Sequence, residues 1–365
     1  MNAKDLYSVP THEAETFIAH VGKKRTALVE GPIGSGKSGM LDSLAKKFPD
    51  HIACYFDCTT KVSGDVAIPD IAHMDNGQGY VTYLTNEELG AHHNKPIILM
   101  VDEFGKAERG IKNSLLRILL ERKIGSYTLH PDSIVFATTN LGAENVGDML
   151  PAHARNRIVL IRTKKPTNME WLHNFAIPNG LDPVICGWAK DNPQLFHDFH
   201  DVENASDNEF IFHPQAPSSE QFVTPRSLHC AADIMAQREH FNDELLTCSL
   251  IGAIGTAGAM SLMAQIKLGD QLPSLQSIKD DPLNATVPTS PAAICMVVMK
   301  AAQTMGRDWV GEWMTYLSRL DTESQGLFVN TARHDKYQHR KIVMTNDKFT
   351  QWCIANGYMF SADKK

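Results

Sequence analysis

Residues 31–38 read Gly31, Pro32, Ile33, Gly34, Ser35, Gly36, Lys37 and Ser38, which fits the pattern GxxxxGK[ST]. The chemistry explains each fixed position. Glycines let backbone N–H groups turn inward around phosphate oxygens, a lysine neutralises the β and γ phosphates of a nucleotide such as ATP, and the following hydroxyl ligates Mg²⁺. A second group is the adjacent pair Asp102 and Glu103, placed directly after the apolar run 97–101. Ligands of an open parallel sheet sit at the carboxyl ends of its strands, so both acids are expected beside the phosphates. Asp102 would hold Mg²⁺, directly or through water, and Glu103 would orient and polarise an attacking water. A third apolar run, 134–137, ends in Thr138, Thr139 and Asn140. An amide at Asn140 could hydrogen-bond the γ-phosphate and the lytic water. Asn at a strand end is common in turns, and its place after the acidic strand is what gives it weight.

These groups need a scaffold that presents strand ends to one edge. From 26 to about 161, short apolar runs alternate with helical stretches, the pattern of an α/β domain with a mostly parallel sheet. The expected strands are 27–29, 52–56, 97–101, 134–137 and 158–161. Several lack polar alternation, as strands buried on both faces should. Met40, Leu41, Leu44, Ala45 and Phe48 supply the apolar stripe of a helix after the glycine-rich turn. The passage 166–223 is polar and irregular, densest in loop residues over 198–221, and is expected to connect domains. After it, Leu228, Ala231, Ala232 and Met235, and later Trp309, Trp313, Leu317 and Leu320, recur at helical spacing. The expected organisation is a nucleotide-binding α/β domain over 1–165, a connector over 166–223, and an all-helical domain over 224–365.

Composition narrows the class. With 365 residues, 43% hydrophobic and 21% charged, the chain can bury a sizeable core. A net charge of -7 argues against a generally basic, DNA-coating surface, although a local basic stripe remains open. The first ten residues resemble neither a signal nor a transit peptide, and the seven cysteines contain no CxxC pair, so reduced thiols in the cytoplasm are expected. The apolar run 250–264 is rich in Gly and Ser and reads as a buried helix, with no membrane span expected. His197, His200 and His213 share a polar loop but lack the spacing of a helix-borne zinc motif, so no metal besides Mg²⁺ is expected. Cys54 and Cys58 read as small core residues.

In this order, the motifs resemble the AAA+ superfamily, and within it the MoxR-like ATPases, over roughly residues 27–228. The stretch 102–107 (Asp-Glu-Phe-Gly-Lys-Ala), followed by Leu115, Leu116, Glu121 and Arg122, looks like the MoxR pattern after its acidic strand. Residues 137–140 (Ala-Thr-Thr-Asn) are similar to the sensor 1 motif. Residues 150–158 (Leu-Pro-Ala-His-Ala-Arg-Asn-Arg-Ile) resemble the segment that carries the arginine finger, which aligns Arg157 with the finger and leaves Arg155 able to share or take the task. Thr224, Pro225 and Arg226 resemble sensor 2. The phosphate loop has Ile33 where MoxR proteins usually have Gly after the proline, and Leu141 replaces a proline that often follows sensor 1. The resemblance implies an AAA+ P-loop domain with a C-terminal helical lid, Mg²⁺-dependent hydrolysis of ATP, and a homo-oligomeric, hexameric ring whose sites are completed by the neighbouring subunit. It further implies a protein substrate or a von Willebrand factor A domain partner, with a nucleic-acid motor or loader and a nucleotide-gated scaffold as alternatives. Residues 59–90 would be the insertion that faces the pore or substrate in relatives. Within it, Tyr80 is either a pore residue or a packed hairpin aromatic, and the packed reading is expected.

Overall fold

The structure, a computed structural model, describes residues 7–73, 79–140, 154, 156–216, 221–269 and 272–357. The chain divides into two units, Met1–Lys165 and Pro166–Lys365. In the first, the strands are β1 Ser8–Pro10, β2 Ala27–Gly31, β3 Ile52–Asp57, β4 Ala67–His73, β5 Gly79–Thr85, β6 Ile97–Asp102, β7 Lys123–Ile124, β8 Tyr127–Thr128, β9 Ile134–Asn140 and β10 Val159–Lys164. Six of them form one all-parallel sheet in the order β1-β10-β2-β9-β6-β3. Each strand expected from an apolar run is present. β6 and β9 also continue into their polar ends, to Asp102 and Asn140. The edge strand β1 had no such run to announce it.

Side chains alternate across a strand, so the central strands β2, β6 and β9 each feed two cores. Ala27, Val29, Ile98, Met100, Ile134 and Phe136 face helices α1 (Thr11–Val21) and α2 (Gly39–Lys47), where Ala14, Ile18, Met40, Leu41 and Leu44 are buried. Leu28, Leu99, Val101, Val135 and Ala137 face the other way, onto Ile111, Leu115, Ile118 and Leu119 of α3 (Arg109–Glu121). Each fully buried Ile or Leu of this kind contributes roughly 1.5–3 kcal/mol before entropy is counted. Helix α3 ends at Arg122, whose φ of 59° turns the chain out of the helix. The Arg122 guanidinium donates to Thr26 Oγ1 at 2.6 Å, Leu119 O at 2.6 Å and Gly22 O at 2.9 Å. Burial lowers its pKa to about 10, so it remains charged near neutrality and clips the end of α3 to the start of β2.

Strands β4 and β5 form an antiparallel ribbon pairing Ile68 with Leu84 and Ile71 with Val81. It is held at one side by the β7–β8 turn, where Thr82 and Ser126 hydroxyls meet at 2.6 Å. A side chain on Gly125 would also strike the Tyr83 backbone oxygen at 2.9 Å. Ile68, Ile71, Tyr80, Val81, Tyr83 and Leu84 are all exposed. The packed reading of Tyr80 is therefore corrected: its relative exposure is 49%, because a two-stranded ribbon has no third layer to cover its faces.

In the second unit every regular element among the described residues is helical. Its core joins Trp171, Trp188, Trp309, Trp313 and Phe328 with Leu228, Ala231, Ala232, Met235, Leu317 and Leu320. The passage 166–223 is not a bare connector. It contains Asn168–Trp171 and Pro183–Asp191, and its Trp171, Ile185, Trp188, Leu195 and Phe196 lie in that core. Polar residues between these anchors masked them in the sequence, whereas Phe199–Asp201 and Ala205–Asp207 are short turns of the kind expected there.

The helix Asp243–Lys267 is long and apolar enough to cross a membrane by length and composition, with mean hydropathy 1.7 and 44% of its apolar window buried. Leu250, Ile254, Ala259 and Leu262 nonetheless belong to the core. Gly255 breaks the helix with φ 75° and ψ 168°, and a Cβ there would lie 2.1 Å from the Gln221 carbonyl oxygen. Gly255→Ala should lower stability by about 1–3 kcal/mol or more in urea unfolding. Gly252→Ala, in the same helix with open space around it, should raise stability by about 0.5–1 kcal/mol. Equal effects of the two changes would contradict the kink.

Candidate nucleotide site

The glycine-rich segment 31–38 bridges the carboxyl end of β2 and the amino end of α2. Gly34 and Gly36 hold φ of 68° and 91°, the left-handed region that a Cβ disfavours. A side chain at Gly31 would strike Thr163 Oγ1 at 2.1 Å, so β10 closes against the loop from behind. Lys37 is buried. Its ammonium donates to Gly31 O at 2.8 Å, Pro32 O at 2.7 Å and Asn140 Oδ1 at 2.9 Å, which aims it across the mouth of the loop. Ser35 Oγ is buried with no hydrogen-bond partner among the described residues. A buried hydroxyl costs about 1–3 kcal/mol when unsatisfied. The loop therefore offers a left-handed glycine backbone, a buried lysine and an orphaned hydroxyl in one concavity, a combination that fits a phosphate chain.

The acidic and amide groups converge because their strands are parallel and in register. Gly31 pairs with Asn140, Val101 with Ala137, and Asp57 with Asp102. Alternation then places Asp102, Thr138 and Asn140 on the α1–α2 face, beyond Met100 and Phe136. Asp102 is 6% exposed, and both its oxygens are engaged. Oδ1 accepts from the Thr138 hydroxyl and from the Glu103 N–H at 3.0 Å. Oδ2 accepts from the Tyr55 hydroxyl at 2.8 Å and from the Ser38 hydroxyl at 3.4 Å. A hydroxyl and a carboxylate this close form an all-oxygen donor set suited to a hard divalent cation, so Ser38 and Asp102 fit Mg²⁺.

Glu103 leaves β6 with φ 51° and ψ 34°, a left-handed conformation that costs a non-glycine residue about 1–2 kcal/mol. The bend turns its carboxylate toward Asn140, whose Nδ2 donates to Oε1 at 2.8 Å and Oε2 at 3.0 Å. Lys106 Nζ approaches Glu103 Oε2 at 3.2 Å from the following turn. Asn140 thus accepts from a cation with its carbonyl and donates to an anion with its NH₂, which sets the orientation of the amide.

The structure thus brings together the loop 31–38, Asp102, Glu103 and Asn140. Arg157 is exposed and sits just before β10, whose first residue Val159 pairs with Ala27 at the amino end of β2. That is the end of the sheet opposite the loop, about 13 Å away at ~3.3 Å per residue. Arg226 is exposed in the first turn of the helix Pro225–Ala236 in the second unit, behind a Thr224–Ser227 cap. Arg155, Leu141 and the stretch 142–153 lie outside the described residues.

The sequence gives no sign of Tyr55, and Thr138 and Lys106 stand in its motifs without a role of their own. Thr138 could have been found two residues before Asn140, on the same face of a strand. Cys54 and Cys58 are buried beneath β3 and its following turn, and burial pushes their thiols up to about 11 and about 12, consistent with core residues. Thr138→Val, which keeps the shape and removes the hydroxyl beneath Asp102, should cost about 1–3 kcal/mol in urea unfolding. An unchanged midpoint would remove Thr138 from the network.

No protein-family model and no curated relative matches this chain. Among solved structures it is similar to RuvB from Thermotoga maritima, a Holliday junction branch migration motor, with TM-score 0.36 and 14% identity over 76% of this chain and 74% of that one. It is also similar to NtrX from Brucella abortus in complex with ADP, with TM-score 0.37 and 16% identity over 93% of this chain and 70% of that one. Likeness of this extent transfers no activity. The fold itself, a P-loop parallel-sheet α/β unit followed by a helical C-terminal unit, is the architecture that the AAA+ resemblance implies.

Proposed function

We propose that this chain is an Mg²⁺-dependent ATPase of the AAA+ kind, in its MoxR-like branch, that works in a homo-oligomeric, hexameric ring to remodel a protein partner. The observation that carries the reading is the continuous network from Lys37 through Asn140 to Glu103, with Asp102 and Ser38 beside it, at the mouth of the phosphate loop. Lys37 would bind the β and γ phosphates. Glu103, held by Asn140, would orient the attacking water and take its proton as the γ-phosphoryl group leaves ADP. Mg²⁺ held by Ser38 and Asp102 would neutralise phosphate charge.

Arg157 lies too far along the sheet to serve its own loop, which favours action on the nucleotide of an adjacent chain. Arg226 is the candidate that would couple the helical unit to the same phosphates, and Arg155 remains the other finger candidate. The exposed β4–β5 ribbon carries six large apolar side chains and no Lys or Arg among its strand residues, which favours a protein partner over nucleic acid. A von Willebrand factor A domain protein is the candidate that the MoxR resemblance supplies. All seven cysteines are free, as suits the reducing cytoplasm.

Lys37→Ala should abolish nucleotide binding in equilibrium titration, and unaltered affinity would contradict the loop assignment. Glu103→Gln should bind ATP and stall, giving a trapped assembly from which partners can be recovered. Normal turnover by that variant would exclude Glu103 as the base. Strong stimulation by DNA or RNA with a steep salt dependence would instead point to a nucleic-acid motor. Arg157→Ala should bind ATP normally while hydrolysing ~10³-fold or more slowly. Mixing it with Glu103→Gln subunits should restore part of the activity, whereas full activity of isolated monomers would rule out shared sites.

A further inference from the structure

We infer that Tyr55 is a positioning residue for the carboxylate that would hold the metal: from the neighbouring strand, its hydroxyl fixes Asp102 so that one Oδ2 lone pair stays directed toward Ser38, its partner in the proposed Mg²⁺ site. This role rests on the nucleotide reading above.

Three observations lead to it. First, Asp102 has four acceptor positions and four donors: the Thr138 hydroxyl and Glu103 N–H on Oδ1, and the Tyr55 and Ser38 hydroxyls on Oδ2. The Ser38 contact is the longest, at 3.4 Å against 2.8 Å for Tyr55, so it is the one most readily exchanged. Second, register puts Tyr55 on the right face. Tyr55 pairs with Met100 in the parallel β3–β6 ladder, so its side chain rises on the same side as Met100 and Asp102. Cys54 and Phe56, its sequence neighbours, go into the opposite core. Third, Tyr55 is 43% exposed, so core packing is a poor account of a large aromatic there, whereas a phenol reaching a buried carboxylate has a defined task. Partners that orient a metal-facing ligand typically change metal affinity by ~10–100-fold when removed.

The test is equilibrium binding of a fluorescent ADP analogue, measured in Mg²⁺ and in EDTA, for the full chain and for Tyr55→Phe, Asp102→Asn and the double variant. The expected result is that Tyr55→Phe lowers the ratio of the Mg²⁺ to the EDTA affinity about 10-fold. Affinity in EDTA should stay within about twofold, which also shows that the variant folds. In the Asp102→Asn background the same change should add nothing, since Tyr55 acts through that carboxylate. An unchanged ratio, an equal loss with and without Mg²⁺, or an additive loss in the double variant would each overturn the role. If the unsubstituted chain binds no nucleotide, the proposed function falls and this inference with it. Tight binding in the unsubstituted chain with an unaffected Tyr55→Phe would sink the inference alone.

Discussion

The site depends on strand register. In a parallel sheet, side chains two apart share a face, and partners across a ladder share it too. Asp102, Thr138 and Asn140 therefore meet only while β6 and β9 keep the pairing that sets Val101 against Ala137. A slip of one residue in either strand would send its polar end into the α3 core, where Leu99, Val101, Val135 and Ala137 now lie. The apolar residues of each strand thus specify the chemistry at its tip, because they decide which face is buried against which helix.

Given that register, the charges at the strand ends balance one another. Lys37 and Lys106 carry positive charge, Asp102 and Glu103 negative charge, and Asn140 joins Lys37 to Glu103 through its two ends. Buried charges are tolerated when paired and hydrogen-bonded, and every one of these groups has a partner. The left-handed turn at Glu103 belongs to the same arrangement. An extended residue there would carry the carboxylate onward along β6 rather than back over Asn140.

The two units solve burial differently. The first buries two faces of a sheet beneath α1, α2 and α3, so its candidate site groups collect at the carboxyl ends of the central strands. The second packs helices around a tryptophan-rich interior and interrupts its longest helix at Gly255, where the chain passes close to Gln221. The β4–β5 ribbon belongs to neither core. Its Ile71, Val81 and Tyr80 stay exposed, covered by neither core.

Much of the candidate nucleotide site is readable along the chain because its parts are local. The loop 31–38 is contiguous, Asp102 and Glu103 adjoin each other, and strands buried on both faces announce themselves as unbroken apolar runs. Tyr55 is different: nothing near it in the chain hints at Asp102, 47 positions away, and only the pairing of β3 with β6 makes them neighbours. The same limit hid Trp171 and Trp188, whose short apolar stretches lie inside a loop-rich passage and become core through contacts with distant helices. It also misjudged Tyr80, since whether an aromatic is covered depends on a layer that its own hairpin does not contain. Backbone propensity and motif spacing act over a few residues, so residue order alone specifies strands, turns and the glycine-rich loop. Which side chains from separate strands touch is settled by long-range packing, where burial of apolar surface outweighs any local preference.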